Sequence, residues 1–390
     1  MVQQPEDILT RERFDMDIYR LAEALGRQER DILDFSSPVN PLGVSKKVKA
    51  ELRKHLKYLS QHPDTEAVRL RKRLGQFHGI NPEMILCGNG STELVYLLAR
   101  VIAPRKVLIP SPTLPVYEQA LLKDGRGERR TDIAFFFLEE HNGFQIEPDE
   151  FIGILKGNEF LPPPVDNSSS SCNMAFLCNP NNPTGRLLKK EHVLKIADAA
   201  RDTRCYLIVD ESYMDFCPGD SVISEAGKNP YLVVLRSMTS FYALAGLRIG
   251  FGVFPPSLAE RLKRNREPWT VNSLAQRAAV IAIRDKAYRK ETFVLMEKEK
   301  RFLEKKFRKL GIEYFPSDVN FYLLKTASLD EISSRLRKKG ILVKTSSGQR
   351  GPEKKYLMVA VKTHKQNSVL IREISSVMKE GKNAENVTGS

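Results

Sequence analysis

Asp210 closes the apolar run YLIVD (206–210). An acid at the end of a strand-like run is costly to bury unless it meets a cation, and a protonated ring nitrogen would be one. About thirty residues upstream, MAFLC (174–178) leads into Asn179-Pro180-Asn181-Asn182-Pro183-Thr184-Gly185, a tight polar turn at the strand end where open α/β sheets bind ligands. Further upstream, Gly88-Asn89-Gly90-Ser91-Thr92-Glu93 opens the helical pattern ELVYLLARVI (93–102). Glycine and hydroxyl residues at a helix start offer free N–H groups, hydroxyl donors and a positive dipole end, which suits a phosphate on Gly90, Ser91 and Thr92. Ser237 and Arg248 follow the next apolar run and can complete such a site, the arginine pairing with the dianion. Each fragment alone reads as a turn, a cap or a surface ion pair. Their joint order along one chain points to a site.

Holding these residues together needs a sheet. Short apolar runs, KVLIP (106–110), IAFFFL (133–138), MAFLC, YLIVD, YLVVL (231–235) and IGFGVF (249–254), alternate with helix-like segments. Runs of this kind predict an α/β architecture with a large, mainly parallel sheet covered on both faces. The N-terminal segment predicts a helix to about residue 30, followed by the turn-rich DFSSPVNPLG (34–43), and 161–173 reads as a Pro- and Ser-rich loop. From about residue 311 the order strand, helix, short strand, strand, helix predicts a smaller α+β unit. The expected division is 1–44 joining the small unit, 45–270 large, 271–310 a connecting long helix, 311–380 small, and 381–390 a frayed tail.

Composition narrows the function classes. The formal charge is +14, from 62 Lys and Arg against 48 Asp and Glu, but much of the excess lies on amphipathic helical stretches such as 46–57 and 298–310. No nucleic-acid-binding module accompanies it, so a nucleic-acid partner is not expected; the positive field favours an anionic substrate. Five cysteines show no metal-ligand spacing, and no metal is expected. No apolar run approaches the roughly 20 residues of a membrane span, and the N-terminus reads without a secretory signal. A soluble, cytoplasmic protein is the expectation.

The set of motifs, in this order, resembles the fold-type-I pyridoxal-phosphate (PLP) enzymes, aspartate-aminotransferase-like, of the class I/II aminotransferase branch, over nearly the whole chain. DFSSPVNPLG, GNGSTELVYLLAR and REPWTVNSLAQ (266–276) are similar to the threonine-phosphate decarboxylases of the cobalamin pathway, with histidinol-phosphate aminotransferases the nearest cousins. The resemblance implies that Asp210 holds the pyridine nitrogen, Asn182 and Tyr213 the ring hydroxyl, and Gly90, Ser91, Thr92, Ser237 and Arg248 the phosphate. It also implies that Tyr117 stacks on the ring, that Asn40 and Lys344 touch a small anionic amino-acid-like substrate, and that His62 reaches a neighbour's phosphate across a homodimer.

The chain departs from the family where the chemistry is done. Ser240 stands three residues after Ser237 and eight before Arg248, where the family keeps its Schiff-base lysine. Serine can neither form that bond nor move a proton at neutral pH as an amine does. Met358 takes the place of the arginine for the substrate carboxylate. Phe14-Asp15-Met16-Asp17 replaces a His-Gly-Gly-Asn stretch, Pro38 replaces an asparagine, and Lys344 keeps charge but loses the arginine's fork. Three readings follow: an enzyme that takes substrates onto free PLP, a non-catalytic relative acting through binding, or a conventional decarboxylase or aminotransferase whose lysine has been replaced. The loss at Met358 weighs against the third.

Overall fold

The computed structural model describes residues 17–122, 131–157, 172–326, 329–345 and 356–388. Residues 14–16 and most of the 161–173 segment lie outside the described residues. The strands among the described residues are β1 (Leu33–Asp34), β2 (Ile85–Asn89), β3 (Lys106–Ser111), β4 (Asp132–Phe137), β5 (Met174–Cys178), β6 (Tyr206–Asp210), β7 (Leu232–Ser237), β8 (Ile249–Val253), β9 (Glu313–Tyr314), β10 (Phe321–Lys325), β11 (Ile341–Leu342), β12 (Lys344–Thr345) and β13 (Tyr356–Ala360).

Seven strands form the large sheet in the order β2-β8-β7-β6-β5-β3-β4. β7, β6, β5, β3 and β4 run parallel, as their continuous apolar composition predicts, while β8 is antiparallel to both β7 and β2. Its run IGFGV reads like the others, because composition carries no direction. The connection decides it: only residues 238–248 link β7 to β8, with a single short 3₁₀ turn and no crossover helix, so the chain turns back beside itself. That return brings Ser237 opposite Gly250 and sets Arg248 at the same end of the sheet. The core is packed on both faces, one side centred on Leu94, Leu98, Phe176 and Leu258, the other on Phe151, Val193, Ile196 and Ala278.

A smaller antiparallel sheet, β12-β13-β10-β9, packs against helices Lys286–Leu310, Leu329–Lys338 and His364–Thr388. The N-terminal segment joins this unit, because β1 pairs in parallel with β11, Leu33 opposite Ile341 and Asp34 opposite Leu342. The first described helix stops earlier than its charge alternation predicts: Ile18–Leu25 is closed by Gly26 in the left-handed region. The expected connecting long helix is in fact two, Ser273–Ala282 and Lys286–Leu310, with Asp285 capping the second through its carboxylate. The final helix continues to Thr388, through the segment expected to fray. Gly381 costs a helix only about 1 kcal/mol, too little to end it.

Candidate active site

The C-terminal ends of β5, β6 and β7 lie in register, Cys178 opposite Asp210 and Asp210 opposite Leu235. The Asn179 N–H donates to the Asp210 carbonyl at 2.9 Å, so the turn after β5 is tied to the end of β6. Gly185 closes that turn with φ +71°, and a Cβ there would strike the side chain of Ser317. Asp318 grips the same turn from the small unit, its N–H donating to the Gly185 carbonyl at 2.9 Å and its carboxylate accepting from the Leu187 N–H at 3.1 Å.

Asp210 is 2% exposed. Its Oδ1 accepts from the Ser212 N–H at 3.0 Å and from the Ser212 hydroxyl at 2.5 Å, and its Oδ2 accepts from the Tyr117 hydroxyl at 2.8 Å. Burial pushes its carboxyl above the usual carboxylate range, and these hydrogen bonds pull it part of the way back. Every partner is neutral; Asp210 makes no ion pair among the described residues. Tyr117 is fully buried, its ring stacked on Phe176 at 4.6 Å and 14°. One face of the Tyr117 ring is therefore taken by the protein.

Successive residues of a strand face opposite ways. Asp210 and Ser237 accordingly turn to the site, while Glu211 and Arg236 turn behind it. Arg236 lies 3.6 Å from Glu211 and 4.0 Å from Asp215, and Asp215 also pairs with Arg289 at 3.3 Å. Glu211 accepts from the Val222 N–H at 2.7 Å and from the Ser221 hydroxyl at 2.6 Å. This buried charge set braces the ends of β6 and β7 from the rear. Sequence reasoning missed it; the alternation of Asp210-Glu211 and Arg236-Ser237 is the signal that would have found it.

Asn182 and Tyr213 meet, Asn182 Nδ2 donating to the Tyr213 hydroxyl at 2.8 Å. Burial pushes the Tyr213 phenol up, with Asn182 and the Ser240 hydroxyl as opposing hydrogen-bond partners. Tyr213 also sets its ring edge-on to Phe321 of β10, centroids 5.2 Å apart, so the small sheet reaches the site there. Ser240 is buried beside Tyr213, and its carbonyl accepts from the Asn40 N–H at 2.9 Å.

At the other end of this hairpin, Arg248 leans over Gly90, the first residue of helix Gly90–Ile102. Arg248 holds φ +55°, a strained backbone for a residue with a Cβ, and its guanidinium is exposed with no ion pair among the described residues. Ser91 lies 3.5 Å from the Ser212 hydroxyl, and Ser237 bonds Thr239 at 2.7 Å. Thr92 is exposed at the same helix start. The arrangement offers a cation, hydroxyls and a helix N-terminus at one place, the chemistry of a phosphate site.

The remaining expected residues are Asn40, His62 and Lys344. Asn40 spends its amide nitrogen on the Phe241 carbonyl at 2.9 Å and Thr292 at 2.7 Å, and its oxygen accepts from the Leu42 N–H at 3.1 Å, so it clamps its own loop. His62 lies exposed against Trp269, ring centroids 5.2 Å apart, beside a cavity of about 330 Å³ lined by Tyr58, Asp64, Arg69 and Gln276. Lys344 sits opposite Met358 across β12 and β13, and Met358 opposite Leu323 of β10, on the face that carries Phe321 toward Tyr213. Burial pushes its amine down, and it has no ion-pair partner among the described residues. Met358 is 2% exposed.

The model of the aminotransferase class I and II family matches residues 30–374. The chain belongs to that family. It is 33% identical to a threonine-phosphate decarboxylase of Salmonella typhimurium over 93% of this chain and 95% of the relative. It is 30% identical to histidinol-phosphate aminotransferase 2 of Archaeoglobus fulgidus, over 90% and 94%. Among solved structures, the histidinol-phosphate aminotransferase of Clostridium acetobutylicum superposes with a TM-score of 0.79 at 26% identity, covering 90% of this chain and all of that one. The fold is the aspartate-aminotransferase-like fold type I, a large mainly parallel sheet with a smaller α+β unit. Among the described residues no helix is long and apolar enough to cross a membrane.

Proposed function

We propose that this protein binds pyridoxal 5′-phosphate without a covalent bond and uses it on a small anionic amino-acid-like substrate, in the manner of the threonine-phosphate decarboxylase branch. The carrying observation is Asp210: a buried acid surrounded only by neutral donors. A protonated pyridine nitrogen would supply the missing cation. The rest of the cradle fits the same group. Gly90, Ser91, Thr92, Ser237 and Arg248 would hold the phosphate, and Asn182 and Tyr213 the ring oxygen. Tyr117 would meet the ring with the face that Phe176 does not cover. When bound, the cofactor supplies an electron sink for negative charge developing beside the amino group. The chain's own part is to hold the ring nitrogen protonated through Asp210 and to exclude water with Phe176, Tyr213 and Phe321.

At Ser240 the chain holds a neutral hydroxyl instead of an amine, so substrate amines would meet the free aldehyde directly. Lys344 would supply a cation opposite Met358, where the family keeps its arginine. A histidinol-phosphate-type aminotransferase with altered chemistry is the related alternative. Met358 also favours a second reading, a non-catalytic relative acting through cofactor or protein binding, since a buried thioether offers no anchor for a carboxylate.

The proposed assembly is a cytoplasmic homodimer in which His62 of one copy approaches the phosphate site of the other. The proposed units are 45–270, and 1–44 with 311–380, joined by 271–310. The visible spectrum of the purified protein titrated with PLP tests the cradle. Product analysis with threonine phosphate then separates an enzyme from a binding protein.

A further inference from the structure

One polar atom in the site is left without a partner. Asn182 is 3% exposed, its nitrogen is used on Tyr213, and its Oδ1 receives no hydrogen bond. Buried carbonyl oxygens nearly always find a donor, so this one calls for a donor from a ligand. The Tyr213 hydroxyl takes the Asn182 nitrogen, and buried Ser240 lies beside Tyr213. The site thus offers an amide oxygen, a phenol and a serine hydroxyl on the side of residue 240, where the family carries an amine. None of them is charged.

Resting on the cradle reading above, we infer that the site prefers the aminated form of the cofactor, pyridoxamine 5′-phosphate, to the aldehyde. An aldehyde adds one more acceptor oxygen to these oxygens and leaves Asn182 Oδ1 unpaired. A primary ammonium brings three N–H donors and a positive charge, and hydrogen bonds from an ionised donor are roughly twice as strong as neutral ones. In a lysine-bearing relative the side-chain amine holds that place and captures the aldehyde. Here the aldehyde gains no covalent bond, and the ligand's own amine has no competitor.

Calorimetric titration of the full-length protein, freed of cofactor by dialysis, tests this with three probes: pyridoxamine 5′-phosphate, pyridoxal 5′-phosphate and 4-deoxypyridoxine 5′-phosphate. The last carries a methyl group in place of the amine and cannot react with surface lysines. The pyridoxamine form should bind at least about tenfold more tightly than either of the others, the effect of one charge-assisted hydrogen bond. Ser240→Lys should erase that advantage, because the introduced ammonium takes the same oxygens. Equal or weaker binding of the pyridoxamine form would overturn the inference and leave the cradle standing. Failure of all three probes to bind at millimolar concentration would overturn the cradle reading itself.

Discussion

The guanidinium of Arg248 lies over Gly90 so closely that a Cβ on the glycine would come within 2.7 Å of Nη2. Gly90 also holds φ +76°, a conformation that side chains other than glycine's rarely adopt. Gly90→Ala should therefore shift the arginine and strain the helix start together. Phosphorylated cofactor affinity should fall by about tenfold or more, on the order of one lost charge-assisted bond. Inorganic phosphate should lose affinity in parallel, which a competition titration measures. Unchanged affinity for both would show that the phosphate is held elsewhere.

Asp210 trades stability for binding. Its carboxyl is raised in the folded chain, so between the ordinary carboxylate pKa and that raised value the folded protein holds a proton the unfolded chain has released. Stability from this group is therefore present at low pH and declines as pH rises through that window. Asp210→Asn should raise the melting temperature of the cofactor-free protein at neutral pH by roughly 1–3 °C. The same change should weaken PLP binding by about 1.5–3 kcal/mol. Differential scanning fluorimetry and a binding titration on one sample give both numbers; equal PLP affinity in wild type and variant would remove Asp210 from the cradle.

Ser240→Lys should restore a covalent link. Tyr213 and Asn182 already stand beside residue 240, and Ser237 and Arg248 flank it on the same hairpin. With PLP the variant should develop a visible absorption band that borohydride abolishes, with the reduced cofactor mapped to residue 240 by peptide mass. The wild type should give no adduct there. An adduct on another lysine of the wild type would place the site wrongly. Decarboxylation of threonine phosphate need not return, because Met358 remains.

The surface around His62 predicts self-association. Tyr58, 42% exposed, lines the same cavity, Trp269, 50% exposed, packs on His62, and Leu56 and Leu59 flank Tyr58 in sequence at 52% and 58% exposed. Sedimentation should show a dimer at micromolar concentration, and Leu59→Glu should shift it to monomer. Trp269 is the chain's single tryptophan, so its emission should move to longer wavelength as the dimer dissociates. A wild-type monomer with PLP present would refute the assembly.

Much of the cradle was legible because its parts are local. Asn182 lies in an Asn-Pro turn, Asp210 ends an apolar run, and Gly90 opens a helix, so each declares itself within a few residues. What escaped is non-local. Tyr117 reads as a ring-stacking aromatic, but Phe176 and Asp210, distant in sequence, claim one face and the hydroxyl. Asn40 reads as a substrate contact, and the structure turns its amide to Phe241 and Thr292, some two hundred residues away. The direction of β8 was hidden because apolar runs look alike whichever way they point. The break at Asp285 was hidden because a capping acid inside a charged helix resembles any other charge.

The turn from β7 into β8 runs from Ser237 to Arg248, the proposed anchors, with residue 240 between them. In that reading grip and bond are encoded separately within twelve residues, and one substitution would change the bond while the grip stays. On the proposed reading, a chain with serine there would hold its ligand only reversibly. The fraction of molecules loaded would then follow the free concentration of the ligand by mass action, and so would the extra stability that loading confers. Dilution or dialysis would empty such a protein, where a lysine-bearing relative would keep its cargo. Its thermal stability would become a readout of how much vitamin-derived phosphate ester surrounds it.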